Sequence, residues 1–317
     1  MIERTIYLLI IGIVSAATSI FLILPLFFIY EIIFKGVKEK KQNHRALPMC
    51  AQTKEQQEQI LSAIDKLLSY PFEEVSIRAK DGGLLYAKYY HVTDGAPVDI
   101  CFHGYHGTGI RDMSGFAKVA MDVGHNLLIV DMRAHGKSKG RYLSFGQKES
   151  GDCKRWVNYV INRFGSDVKI CLSGVSMGAS TILMANRFNL PDNVKCMVAD
   201  SPYASPKDIL ISVLENKRLK AKLLYPIIAF SGMLFGGISL PTITADEAVK
   251  KSNIPTLIIH GEEDSFVPCE MSKKIATARS GIERHTFKGA EHVGSSLTDT
   301  ERYTNLVANF ITEKTAI

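Results

Sequence analysis

The chain has 317 residues, 46% of them hydrophobic, and a formal net charge of +6. That length holds one large domain or two small ones, and the even spread of apolar segments after residue 72 favours a single domain with a sizeable core. Residues 1–45 carry six Lys/Arg against Glu3, Glu31 and Glu39, a balance of +3 that leaves the remainder of the chain too mildly charged to point to nucleic acid. The six cysteines (Cys50, Cys101, Cys153, Cys171, Cys196 and Cys269) form no C-x-x-C pair, and three lie in apolar runs. They read as packed free thiols, so neither a disulfide framework nor a zinc site is expected, and no cofactor.

From Thr5 to Tyr30 there is no charged residue, long enough for one helix to cross a hydrocarbon core of about 30 Å. Val14-Ser15-Ala16 resembles a signal-peptide cleavage site, but the apolar run continues through Tyr30, whereas signal h-regions are about 7–15 residues. The expectation is an uncleaved, single-pass anchor over residues 1–34. Lys35, Lys38, Lys40, Lys41 and Arg45 follow it and only Arg4 precedes it, so the positive-inside rule puts the remainder in the cytoplasm, in keeping with free cysteines. An extracytoplasmic domain is the alternative.

Residues 31–51 are polar and basic without a period and read as a juxtamembrane linker. Ile60, Leu61, Ile64, Leu67 and Leu68 then recur at helical spacing before Pro71, so 35–71 is expected to be linker plus amphipathic helix. The third unit, 72–317, opens with a hairpin of 75–79 and 84–90 around Asp81-Gly82-Gly83. Five apolar runs follow, at 98–102, 127–130, 168–172, 194–198 and 256–259, with a last strand at 284–287. Helices are predicted near 111–122, 147–163, 177–187, 267–279 and 298–313. This alternation implies a mostly parallel sheet covered by helices on both faces.

Residues 203–250 break the alternation. They contain an apolar run, Leu223 to Leu240, interrupted by Pro226, Gly232, Gly236 and Gly237. A membrane crossing there would put two strands of one sheet on opposite sides of the bilayer, so a helical cap over the site is expected. Lys217, Arg218, Lys220 and Lys222 cluster at its start, either as a solvated helix face or as a contact for an anionic leaflet.

Gly174-Val175-Ser176-Met177-Gly178 sits between a predicted strand and helix, where a strained turn would lift the Ser176 hydroxyl out at the end of the sheet. His103-Gly104-Tyr105-His106-Gly107-Thr108-Gly109 follows an earlier strand, so the backbone N–H groups of Tyr105 and Met177 are candidate donors to an oxyanion. Asp264 follows the strand after the cap and His292 follows the last strand, giving the chain order nucleophile, acid, base. Glu262, Glu263 and Asp200 are rival acids. His103, His106, His260 and His285 are rival bases, but His292 occupies a loop free to approach Ser176.

These residues resemble the α/β-hydrolase superfamily, specifically its serine-aminopeptidase-like branch of small bacterial hydrolases with an N-terminal anchor. The resemblance runs from about Val75 to the C-terminus and includes Asp131-Met132-Arg133-Ala134-His135-Gly136-Lys137-Ser138, similar to the family's D-x-R-G-x-G-x-S turn with Ala134 in place of glycine, and Asp200-Ser201-Pro202-Tyr203. It implies an α/β-hydrolase fold with a cap insertion. It implies hydrolysis of a carboxylic ester or thioester through an acyl-enzyme on Ser176, with small-molecule or lipid-like acyl esters as substrates. A peptidase is the alternative within enzymes, and a catalytically inactive membrane-tethered binding module the alternative outside them. Oligomeric state is left open.

Overall fold

The computed structural model describes all residues except Met1, Met49, Pro241 and Ile317. The apolar N-terminus forms one continuous helical rod: α1 (Ile2–Thr18), a π-helical turn (Ser19–Ile23) and α2 (Leu24–Phe34). Pro25 cannot donate the bond that an α-helix would require of it, and the wider turn just before it absorbs the mismatch. Arg4–Phe34, 31 residues, is long and apolar enough to cross a membrane.

The segment expected as a linker is not free. After Phe34 it lies extended along the domain, bridging Lys35 to Tyr142 and Lys38 to Gly136. Backbone bonds run from Gly36 N to Arg141 O (2.9 Å), from Gly136 N to Val37 O (3.0 Å) and from Leu143 N to Phe34 O (2.7 Å). Its far end is buried at Cys50 and Ala51. A strap held by backbone bonds needs no apolar period, so its sequence looks like a linker.

Helix α3 (Lys54–Ser69) starts at a capping box in which Thr53 and Gln56 satisfy each other's backbone, and it buries Ile64 and Leu67. Next come β1 (Glu73–Arg78), β2 (Leu84–Tyr90), β3 (Val98–Phe102), α4 (Gly109–Asp122), β4 (Asn126–Val130), α5 (Glu149–Phe164), β5 (Ile170–Val175), α6 (Met177–Ala185) and β6 (Val194–Asp200). The segment expected as a cap holds three helices, α7 (Pro206–Asn216), α8 (Ala221–Gly236) and α9 (Ala245–Val249), with Gly237 in the left-handed conformation closing α8. The chain ends with β7 (Thr256–Gly261), α10 (Cys269–Thr277), β8 (Ile282–Phe287), α11 (Ser295–Thr298) and α12 (Thr300–Ala316).

The eight strands form one sheet in the order β1-β2-β4-β3-β5-β6-β7-β8. β2 pairs antiparallel with both β1 and β4, and the remaining pairings are parallel. Every residue of β3, β4, β5 and β7 is buried, as strands covered on both faces must be. One face packs residues of α3, α4 and α12. The other packs α5, α6, the cap and the buried end of α2. Because the central strands run parallel, β3, β5, β6 and β7 deliver their C-terminal loops to one end of the sheet, where Gly104, Ser176, Asp200 and Asp264 lie.

Candidate active site

Ser176 links β5 to α6 with φ 52° and ψ −115°, a conformation costly for any residue bearing a Cβ. The flanking glycines make the turn possible. A Cβ on Gly174 would sit 2.5 Å from the Gly178 carbonyl carbon, and one on Gly178 would sit 2.1 Å from the Phe102 carbonyl oxygen. The Ser176 N–H donates to Asp200 O on the neighbouring strand at 2.8 Å, fixing the elbow to the sheet.

The two loops after β7 and β8 are brought together by a close approach at Gly261, where a Cβ would meet Ala290 O at 2.2 Å. Glu263 N donates to Ala290 O at 3.0 Å, holding the loops side by side. As a result Asp264 Oδ2 lies 2.7 Å from His292 Nδ1, and His292 Nε2 lies 2.9 Å from Ser176 Oγ.

Asp264 is buried, and burial alone would push its carboxyl up. Hydrogen bonds from His260 and His292 and from the Val267 N–H outweigh that and hold it at about 2. Its Oδ1 accepts from Phe266 N (3.0 Å) and Val267 N (2.7 Å), while Oδ2 is shared by His292 and by His260 Nε2 at 3.2 Å. An ionised carboxylate only accepts, so His292 carries its proton on Nδ1 and offers a bare Nε2 to the serine hydroxyl. By the same argument His260 is protonated on Nε2, which faces Asp264 and Val267 O (2.8 Å), and its buried Nδ1 has no partner.

The rival groups are engaged elsewhere. Burial raises the Asp200 carboxyl, which accepts from Ser201 Oγ at 2.9 Å and does not reach His292 within hydrogen-bond distance. Glu262 bonds Thr286 Oγ1 at 2.6 Å, Glu263 is exposed, and His285 lies within β8. His103 accepts from Met132 N on Nε2 (3.1 Å) and donates from Nδ1 to Gly104 O (2.8 Å), tying β3 to β4. His106 donates from Nε2 to Lys35 O at 2.7 Å.

The loop bearing Tyr105 is close to the elbow, since a Cβ on Gly104 would lie 3.5 Å from Ser176 Cβ. Asp112 Oδ2 accepts the Gly104 N–H at 3.0 Å and sets the turn. Met177 opens α6, so its N–H is among those that helix geometry leaves without an intrahelical acceptor. Two contributors escape a reading of the sequence. His260 supports Asp264, and the strap places His44 Nδ1 3.0 Å from Thr108 Oγ1 beside this loop. The H-G-E-E-D spacing was the only available signal for the first, and the second has none. A groove of ≈ 740 Å³ lined by Lys148, Lys154, Arg155 and Arg187 belongs to another part of the surface, since none of Ser176, Asp264 and His292 lines it.

Residues 100–225 match a family described as alpha/beta hydrolase fold, and residues 191–301 match one described as serine hydrolase (FSH1). The Uncharacterized protein YqkD of Bacillus subtilis is 28% identical over 231 residues, which cover 71% of this chain and 74% of that protein. The lysophosphatidylserine lipase ABHD12 of Danio rerio is 26% identical over 187 residues, 56% of this chain and 46% of its own length. The Pyrococcus furiosus esterase Pf2001 has the same fold, with a TM-score of 0.64 at 24% identity over 78% of this chain and 93% of that one. The chain belongs to the α/β-hydrolase superfamily and is a serine hydrolase.

Proposed function

We propose that the protein cleaves carboxylic esters with lipid-like acyl chains through an acyl-enzyme on Ser176. The unbroken hydrogen-bonded series from Asp264 through His292 to Ser176 carries this reading. His292 Nε2 takes the hydroxyl proton as Oγ attacks the carbonyl carbon, and Asp264 keeps the tautomer correct and balances the imidazolium. The backbone N–H groups of Tyr105 and Met177 receive the oxyanion. Collapse breaks the bond to the alcohol, which leaves with the His292 proton. Water, deprotonated by the same nitrogen, then releases the acid and restores the serine.

The lipid-like preference is supported by the similarity to a lysophosphatidylserine lipase and by the apolar cap helix α8. We also read Arg4–Phe34 as a retained anchor, with 35–71 as the segment joining it to a hydrolase domain of 72–317 on the cytoplasmic side. Cleavage after Ala16 would leave a stub exposing Phe21, Leu22 and Phe28, an unfavourable end for a water-soluble product. A series of p-nitrophenyl esters of increasing chain length tests the activity. Turnover that rises with chain length and vanishes in Ser176→Ala supports it, and turnover of none of them, with cleavage of amino-terminal peptides instead, overturns it.

A further inference from the structure

The cap helix α8 presents large apolar side chains outward. Leu223 is 62% exposed, Phe230 48%, Met233 56% and Leu234 51%, and with Pro226 they form one stripe at helical spacing. Soluble helices keep such a stripe inside. The opposite face of α8 packs on α2, and its contact is built from small residues. A Cβ on Gly232 would lie 2.7 Å from Phe34 Cζ, and one on Gly236 would lie 2.7 Å from Tyr30 Oη. Gly232 and Gly236 are four apart, the spacing by which apolar helices approach closely inside a bilayer. Tyr30 and Phe34 are almost fully buried in this contact, while Phe28 and Ile32 on the outer side of α2 are 56% and 70% exposed. Both helices thus turn apolar side chains outward, away from their mutual contact, and α2 is continuous with the rod Arg4–Phe34.

Basic side chains flank both helices. Lys217, Arg218, Lys220 and Lys222 are exposed at the start of α8, and Lys35 is exposed just beyond α2. Such a rim suits phosphate headgroups. At 16 residues α8 is about 24 Å long, short of a hydrocarbon core of about 30 Å, and both of its ends return to the same domain. It can lie in one leaflet but cannot cross. The Tyr105 loop beside Ser176 touches the buried end of this helix pair, because the Tyr105 hydroxyl donates to Ile33 O at 3.1 Å.

We propose that α8 is a membrane-inserted element. The stripe of Leu223, Phe230, Met233 and Leu234, with Phe28 and Ile32, occupies the acyl layer of the leaflet from which the anchor emerges. The site then opens toward that leaflet, and its substrate is an acyl ester resident in the membrane. The inference rests on the reading of Arg4–Phe34 as a retained anchor.

The test uses the full chain in vesicles of anionic phospholipid containing brominated acyl chains, which quench indole fluorescence on contact. The single native tryptophan, Trp156, is fully buried, so it gives a low background. Phe230→Trp, and independently Met233→Trp, are expected to lose at least half of the added emission, as is Leu9→Trp in the anchor, while Phe164→Trp on α5 loses little. Quenching of Leu9→Trp with both α8 variants behaving like Phe164→Trp overturns the insertion of α8 and leaves the anchor standing. An unquenched Leu9→Trp overturns the anchor reading and this inference with it. Phe230→Glu combined with Met233→Glu is expected to slow hydrolysis of a vesicle-borne long-chain ester about tenfold, with turnover of a short soluble ester unchanged. Equal loss on both substrates contradicts a role in reaching lipid.

Discussion

The Tyr105 hydroxyl donates to the Ile33 carbonyl across 3.1 Å, joining the loop beside Ser176 to the last turn of the N-terminal helix. His106 adds a second tie through the Lys35 carbonyl, and its ring stacks on Tyr105 at 3.9 Å. Only the backbone N–H of Tyr105 is assigned to chemistry. Tyr105→Phe is therefore expected to lower stability by about 1 kcal/mol, the worth of one hydrogen bond, and to change kcat on a short ester less than about threefold. Thermal unfolding and steady-state kinetics check this, and a loss beyond a hundredfold would assign the hydroxyl itself to the reaction.

The strap makes a second testable contact at Gly36. A Cβ there would lie 2.1 Å from Ala134 O and 2.6 Å from Ala134 Cβ, so no side chain fits without moving backbone. Gly36→Ala is expected to unseat residues 35–43 and make them sensitive to limited trypsin digestion at Lys38, Lys40 and Lys41. Gly12→Ala, which meets nothing within 4 Å, is the control that leaves the digestion pattern unchanged.

The two buried carboxylates at the site separate by mutation. Asp264→Asn keeps the size but can present an N–H to His292 and favour the wrong tautomer, so kcat on any turned-over ester should fall about 10³-fold or more. Asp200→Asn retains an acceptor for Ser201 and removes a carboxyl that burial already disfavours as an ion, so kcat should change less than about tenfold. The reverse ranking would move the acid to Asp200.

Acid stability follows from the same carboxylate. Asp264 is held at about 2 against an ordinary 3.8, so the folded state favours its ionised form. Its contribution, roughly 2 kcal/mol, is present above about pH 4 and is lost as pH falls toward 2. His260→Leu removes one of the donors that hold it down, so the loss should be smaller and complete at a higher pH than in the wild type. Urea titrations of the two proteins between pH 2 and 5 read it directly, and superimposable curves would deny His260 that role.

The strand and helix pattern from Phe72 onward was legible because doubly buried strands such as Ile100–Phe102 and Leu257–Ile259 are apolar at every position, whereas the helices between them are periodic. The approach of His292 to Asp264 and Ser176 could be guessed only from loop order, because it depends on the close packing of Gly261 against Ala290, a contact between loops 29 residues apart. The strap was illegible for a physical reason: residues 35–43 are held by main-chain bonds that any sequence can make. The docking of α2 on α8 escaped for another, since Tyr30 and Phe34 look like ordinary members of an apolar helix until Gly232 and Gly236 are seen opposite them.

The central claim is that Ser176 is the nucleophile, activated by His292. Reaction with a fluorophosphonate followed by peptide mass spectrometry measures it most directly, since the reagent phosphonylates only an activated serine. The expected result is a single adduct on the peptide bearing Ser176, absent in Ser176→Ala and slowed at least a hundredfold in His292→Ala. An adduct on another serine, or undiminished labelling of Ser176→Ala, would contradict the assignment.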